Sequence, residues 1–115
     1  MDCIFCKIIE GTIPSNKVFE NEHVIAFHDI APAAPVHLLV IPKKHIASLN
    51  DAKEEDWPLM AEVLKAAQQV AKDAGIAADG YRLINNCGSN GGQVVHHIHV
   101  HVVGGEKLGA MIGNK

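Results

Sequence analysis

One stretch of this 115-residue chain, Glu54 to Ala74, carries a sustained helical period. Trp57, Met60, Val63, Leu64, Ala67, Val70 and Ala71 fall on one helical face, and Gly75 stops the pattern. A single long amphipathic helix cannot bury its own apolar stripe, so the other segments must supply the surface it covers. They read as strands. "KVFE" and "VIAFHDI" flank Asn21-Glu22-His23 as the arms of a hairpin. "HLLVIP", from His37 to Pro42, is apolar almost throughout, as expected of a strand covered on both faces. "YRLINN", from Tyr81 to Asn86, is another strand, and "VVHHIHVHVVGG", from Val94 to Gly105, is the last. Cys3 to Ile9 reads as a short helix closed by Gly11. "APAAP", from Ala31 to Pro35, is a stiff loop, because each proline fixes its own φ and restrains its predecessor. About five strands and one main helix, with hairpin-like connections, make a single α+β domain over residues 1–115.

With 48% hydrophobic residues the chain can build a core, yet it is small enough that dimerisation would bury more apolar surface. Thirteen acids against ten bases leave a net charge of −3, which excludes the basic face of a duplex-DNA binder. A small ligand or a protein surface is the expected partner, and no nucleic acid. The N-terminus "MDCIFCKIIEGTIP" reads as neither a signal peptide nor a membrane span. Three cysteines without an export signal point to a reducing compartment, so a cytoplasmic location is expected.

Four of the eight histidines lie within six residues, His96 to His101. In a strand, alternate side chains share a face, so His97, His99 and His101 point one way and Ile98, Val100 and Val102 the other. The apolar set anchors the strand. With a rise of ~3.3 Å per residue the outer two histidines are roughly 13 Å apart, too far for one metal ion with bonds of ~2 Å. The three therefore have separate tasks, while His96 is a packing or surface residue. Just before them, "CGSNGG", from Cys87 to Gly92, is a glycine-rich loop whose backbone N–H groups can approach phosphate oxygens. It lacks a Gly-Lys-Ser/Thr sequence, so it is neither a P-loop nor a dinucleotide fingerprint.

The run His97-Ile98-His99-Val100-His101-Val102-Val103 resembles the signature of the histidine triad superfamily, in which histidine alternates with apolar residues. "DIAPAAPVHLLVIPKKH" and "NCGSNGGQ" are similar to two further landmark segments of its nucleotide-binding, phosphoramidase branch. The resemblance runs from "IFCKII" to "VVGG". It implies a HIT-like fold: a five-stranded antiparallel sheet with one long helix and a short N-terminal helix, two subunits joining their sheets in a homodimer. It also implies a hydrolase of purine nucleoside phosphoramidates or related AMP conjugates. By that resemblance His99 attacks the α-phosphorus, a task suited to neutral imidazole, and forms a nucleotidyl-histidine intermediate. His101 and His37 match positions for phosphate contact and proton handling. Asn86, Gly92, Gln93 and Val94 match the phosphate side, and Asp29 matches the acceptor of the ribose hydroxyls. Phe5, Ile8, Phe27, His28 and Ile30 match the wall of the base pocket.

Two departures stand out. Many relatives carry serine or another polar residue where this chain has Val94, which cannot assist a leaving group through its side chain. The tail "EKLGAMIGNK" lacks the tryptophan that some relatives contribute across the dimer.

Cys3-x-x-Cys6 by itself is open between half a zinc site, a redox pair and unused surface cysteines. The resemblance supplies two further ligands, His45 and His97, for a closed structural zinc site, and no organic cofactor. Cys87 reads as a buried free thiol. Three other functions remain open at this level: a dinucleoside polyphosphate hydrolase, a nucleotide-binding regulatory module with little turnover, and a zinc-stabilised interaction protein.

Overall fold

The computed structural model describes residues 3–113. The first helix, α1 (Ile4–Glu10), starts at Cys3, whose Sγ accepts the Cys6 N–H at 3.3 Å. It ends at Gly11 with φ +86°, a left-handed turn that glycine adopts without a Cβ penalty. Strands β1 (Lys17–Glu20) and β2 (Val24–His28) form the expected hairpin, held at its turn by Asn21 Oδ1, which accepts from His23 N and Val24 N. Strand β3 (Val36–Pro42) follows the proline loop. The long helix, α2, spans Trp57–Asp73, and β4 (Tyr81–Ile84) and β5 (Val100–Gly104) complete an antiparallel sheet in the order β1-β2-β3-β5-β4.

Three boundaries differ from the sequence reading. Glu54–Asp56 forms a separate 3₁₀ turn ahead of α2, and Pro58 sits in the first turn of α2, where its missing N–H is no loss. Strand β4 stops at Ile84. The histidine segment joins the sheet only at Val100, so His97 and His99 lie before the ladder. The cause is competition for backbone groups: the His97 ring bonds the Pro42 carbonyl at 2.8 Å, and Ile98 N–H donates to Ile46 O at 2.7 Å. The Asn85 amide then donates to the His99 carbonyl at 2.9 Å, bracing the segment from the β4 side.

The alternation of strand residues divides the interior into two layers. Val24, Ala26, Leu38, Val40 and Val102 face α2 and pack on Val63, Ala66, Ala67, Val70 and Ala71. Burying a side chain such as Val70, 1% exposed, contributes about 1.5–3 kcal/mol. Ile25, Phe27, Leu39 and Ile41 face the other way and are covered by Phe5 and Ile8 of α1. Helix α1 has only 7 residues, against 17 in α2, so it covers part of that second face. His37 and His101 lie on the same face by strand alternation, beyond the apolar cluster that α1 covers.

Candidate active site and metal centre

The three alternating histidines do share one side of the chain. The ring of Phe5 stands edge-on to both His97 and His99, with centroids 5.9 and 5.2 Å away, and His99 lies 5.1 Å from His101. His97 and His99 are buried, at 0% and 6% exposure, and His101 is half-buried. His96 is exposed at the surface.

Hydrogen bonds assign the protons on these rings. His99 Nδ1 lies 2.7 Å from the His97 carbonyl oxygen, which only accepts, so Nδ1 carries the proton and Nε2 keeps its lone pair. The Ala33 N–H donates to His37 Nδ1 at 3.0 Å, which places the neutral His37 proton on Nε2. That proton faces His101 Nδ1 at 2.9 Å, and Asp29 Oδ2 lies 3.4 Å from His37 Nε2. His101 Nδ1 therefore accepts, and its own proton sits on Nε2. Burial, reinforced by repulsion from His99 and His37, pushes the His101 pKa down to about 4, so the ring is neutral at pH 7. A lone pair on His99 and an N–H donor on His101 thus stand side by side.

A cavity of about 360 Å³ opens beside His37 and His101, lined also by Arg82, Ile84, Asn86 and Leu108. Asp29 is partly buried and its Oδ1 accepts the Ala31 N–H at 2.8 Å, so it braces the proline loop as well as facing His37. His28 is exposed and Ile30 is 99% exposed, whereas Phe5, Ile8 and Phe27 are buried in the layer beneath. In the glycine loop, a Cβ on Gly91 would collide with the Cys87 carbonyl, and Gly92 takes φ +80°. The side chain of Gln93 turns inward: its amide donates to Ala47 O at 2.7 Å and Val95 O at 3.1 Å, and its oxygen accepts from Gly88 N at 3.0 Å. Asn86 Nδ2 donates to Gly91 O at 2.7 Å, leaving its oxygen for other contacts. Val94 is 84% exposed and Cys87 is half-buried.

Among the described residues, two groups of metal-capable donors converge: Cys3, Cys6, His45 and His97, and Asp29, His37 and His101. They differ in chemistry. In the second, the proton that Ala33 forces onto His37 Nε2 occupies the space between the donors. The donors of the first could hold a metal ion. A tetrahedral ion with bonds of ~2.3 Å to sulfur and ~2.0 Å to nitrogen sets S···N pairs roughly 3.5 Å and N···N pairs roughly 3.3 Å apart. Here Cys3 Sγ and His97 Nδ1 are 3.4 Å apart, Cys6 Sγ and His45 Nδ1 3.3 Å, Cys6 Sγ and His97 Nδ1 3.6 Å, and the two Nδ1 atoms 3.2 Å. His97 Nε2–H donates to Pro42 O, so Nδ1 presents the lone pair that a ligand needs. Burial holds the His97 imidazole below its ordinary pKa, in the neutral form. Burial and the adjacent Cys3 push the Cys6 thiol up to about 11, and a bound cation would reverse that by favouring the thiolate.

The HIT domain family profile matches residues 10–108. The chain belongs to the HIT family. A HIT family hydrolase from Legionella pneumophila shares 48% identity and superposes with a TM-score of 0.94 over 97% of this chain and 100% of that one. A HIT-like protein of Chlamydia pneumoniae is 51% identical over 94% of this chain and 97% of its own length. The Escherichia coli K12 protein named purine nucleoside phosphoramidase is 45% identical over 99% of this chain and 96% of its own.

Several groups that shape this HIT site were not legible in the sequence. Ala33 sets the His37 tautomer through its backbone, Asn85 braces the His99 carbonyl, and the Pro42 carbonyl orients His97. Phe5, read as a base-pocket residue, touches two of the triad rings. Only the rigidity of the proline loop around Ala33 had a sequence signal.

Proposed function

We propose that this HIT protein hydrolyses purine nucleoside phosphoramidates and related AMP conjugates through a nucleotidyl-histidine intermediate on His99. The observation that carries this reading is the paired tautomers: Nε2 of His99 with a free lone pair, beside an N–H donor on His101. The name of the 45%-identical Escherichia coli relative supports the same substrate class.

His99 Nε2 attacks the α-phosphorus, and the P–N bond breaks with its electron pair leaving on nitrogen. The leaving nitrogen takes a solvent proton as that bond breaks, while His101 stays neutral, donating its Nε2–H to a non-bridging phosphate oxygen with its Nδ1 held by the His37 Nε2–H. In the second step water attacks the phosphorus, the P–N bond to His99 breaks with its electron pair returning to Nε2, and the water proton passes to solvent. Since Val94 offers only its backbone N–H, no side chain at that position hands a proton to the leaving group, which draws it from solvent. Gly92 and Asn86 stand on the phosphate side, Asp29 accepts from the ribose, and His28 and Ile30 flank the base.

Zinc suits the Cys3–Cys6–His45–His97 set, whose two thiols and two imidazoles are the donors of a closed structural site. A homodimer would cover Trp57, Leu64 and Leu83, which are 45%, 55% and 39% exposed on α2 and the edge strand β4. Cys3, Cys6 and Cys87 form no disulfide among the described residues, which is compatible with the cytoplasm, and no described helix is long and apolar enough to cross a membrane.

Brief mixing with radiolabelled adenosine phosphoramidate, quenched in alkali, should trap label on His99. His99→Gly should lose turnover yet bind AMP within about tenfold, since the nucleophile acts in the chemical step. Wild-type turnover by His99→Gly would overturn the assignment. Binding of AMP without turnover by the wild type would favour a regulatory nucleotide-binding module, and preference for a dinucleoside polyphosphate would favour that hydrolase.

A further inference from the structure

His97 stands in both centres at once. Its Nδ1 belongs to the metal-binding group, its Nε2 is tied to Pro42, and its backbone carbonyl holds the Nδ1–H of His99 at 2.7 Å. That last bond is the one that leaves the lone pair on His99 Nε2. A second link runs through α1. Cys3 and Cys6 flank Phe5, whose ring stands edge-on to His97 at 5.9 Å and His99 at 5.2 Å. With both cysteines held to His45 and His97, that ring cannot withdraw without the helix leaving the centre. His45 lies on the segment after β3 that also supplies Ile46 O to the Ile98 N–H, the residue between the two histidines.

We propose that the Cys3–Cys6–His45–His97 centre holds His99 in its attacking geometry, making Cys3, Cys6, His45 and Phe5 positioning residues for the reaction. This rests on the reading of His99 as nucleophile. A metal that merely braces the fold would change the melting temperature and leave a folded, stripped protein unaltered at His99. A positioning centre would not. Once the metal is gone, both cysteines and His97 lose their common partner, and the peptide carrying the His97 carbonyl can rotate. Misplacement of a reacting group by about 1 Å costs on the order of 100-fold in rate.

The test uses the full chain, loaded with zinc and then stripped by chelator, at a temperature where circular dichroism shows the stripped protein folded. NMR of the imidazole nitrogens should show one His99 tautomer, protonated at Nδ1, in the loaded protein and a mixture in the stripped one. Single-turnover labelling of His99 should slow about tenfold to 100-fold. AMP affinity should stay within about threefold, because the nucleophile contributes to the chemical step rather than to ground-state binding. Restoring zinc should restore both readouts. Phe5→Leu, with its zinc content confirmed, should slow labelling in the same direction, and it decides the matter if stripping unfolds the chain. An unchanged tautomer and labelling rate, in the stripped protein or in Phe5→Leu where that variant must decide, would overturn the inference while leaving the functional reading intact. A loaded wild type that never labels His99 would overturn both.

Discussion

His37 and His101 share one proton across 2.9 Å, and the Ala33 N–H on the far side of His37 decides which ring owns it. The order is Ala33 to His37 to His101, so the free donor of the pair is His101 Nε2. The direction of this relay has a pH consequence. Burial holds the folded pKa of His101 near 4, below the ~6.5 of an exposed histidine. The unfolded chain therefore binds more protons between those values, and stability must rise with pH across that window.

Acidifying from pH 7 should thus destabilise the fold progressively below about 6.5 and level off near 4, as far as His101 contributes. His101→Gln should flatten part of that slope in melting curves recorded across the window. An unaltered slope would mean that His101 does not titrate as its burial requires.

Zinc should copurify at about one ion per chain, because ligand identity and spacing match one closed tetrahedral site. Removing it with a chelator, or replacing Cys3 or His45 by serine or alanine, should lower the melting temperature, since metal binding free energy is coupled to folding. Elemental analysis finding no metal after zinc-replete expression would refute the site.

Asp29→Ala should weaken AMP more than an analogue lacking both ribose hydroxyls. A hydrogen bond to a charged group is worth ~1.5–3 kcal/mol, which is roughly 10- to 150-fold in affinity. Since Asp29 also accepts the Ala31 N–H, a loss shared equally by both ligands would assign it to loop bracing alone.

Asp56 is buried, at 3% exposure, and accepts from Lys44 Nζ at 2.6 Å and Lys53 N at 2.9 Å. The Lys44 bond holds its carboxyl below the usual range and in turn raises the Lys44 ammonium. A depressed carboxylate stabilises the fold above its unfolded pKa of ~3.9 and loses that contribution as pH falls through the lower folded value. Asp56→Asn should therefore lower the melting temperature at pH 7, with the deficit shrinking in acid.

Leu83→Arg, on the exposed edge strand, should convert a dimer to a monomer without unfolding the sheet. Sedimentation at micromolar concentration measures this directly; a wild type that already sediments as a monomer would remove the proposed interface.

Much of this protein was determined by local pattern. The helical period from Trp57 to Ala71, the alternation from His97 to Val102 and the turn signals at Asn21 and Gly11 depend on neighbours a few residues away, and they specified the α+β order. The same alternation put three histidines on one side, although two of them lie outside the ladder. Tertiary structure decided the rest, because the remaining choices belong to atoms far apart in the chain. Cys3 meets His97 across 94 residues, and Cys6 meets His45 across 39. Which sheet face stays open depends on how far the short helix α1 reaches. Which nitrogen of each ring carries its proton depends on the carbonyl of His97 and the N–H of Ala33. Backbone groups carry no side-chain signature, so no pattern in the sequence could have revealed them.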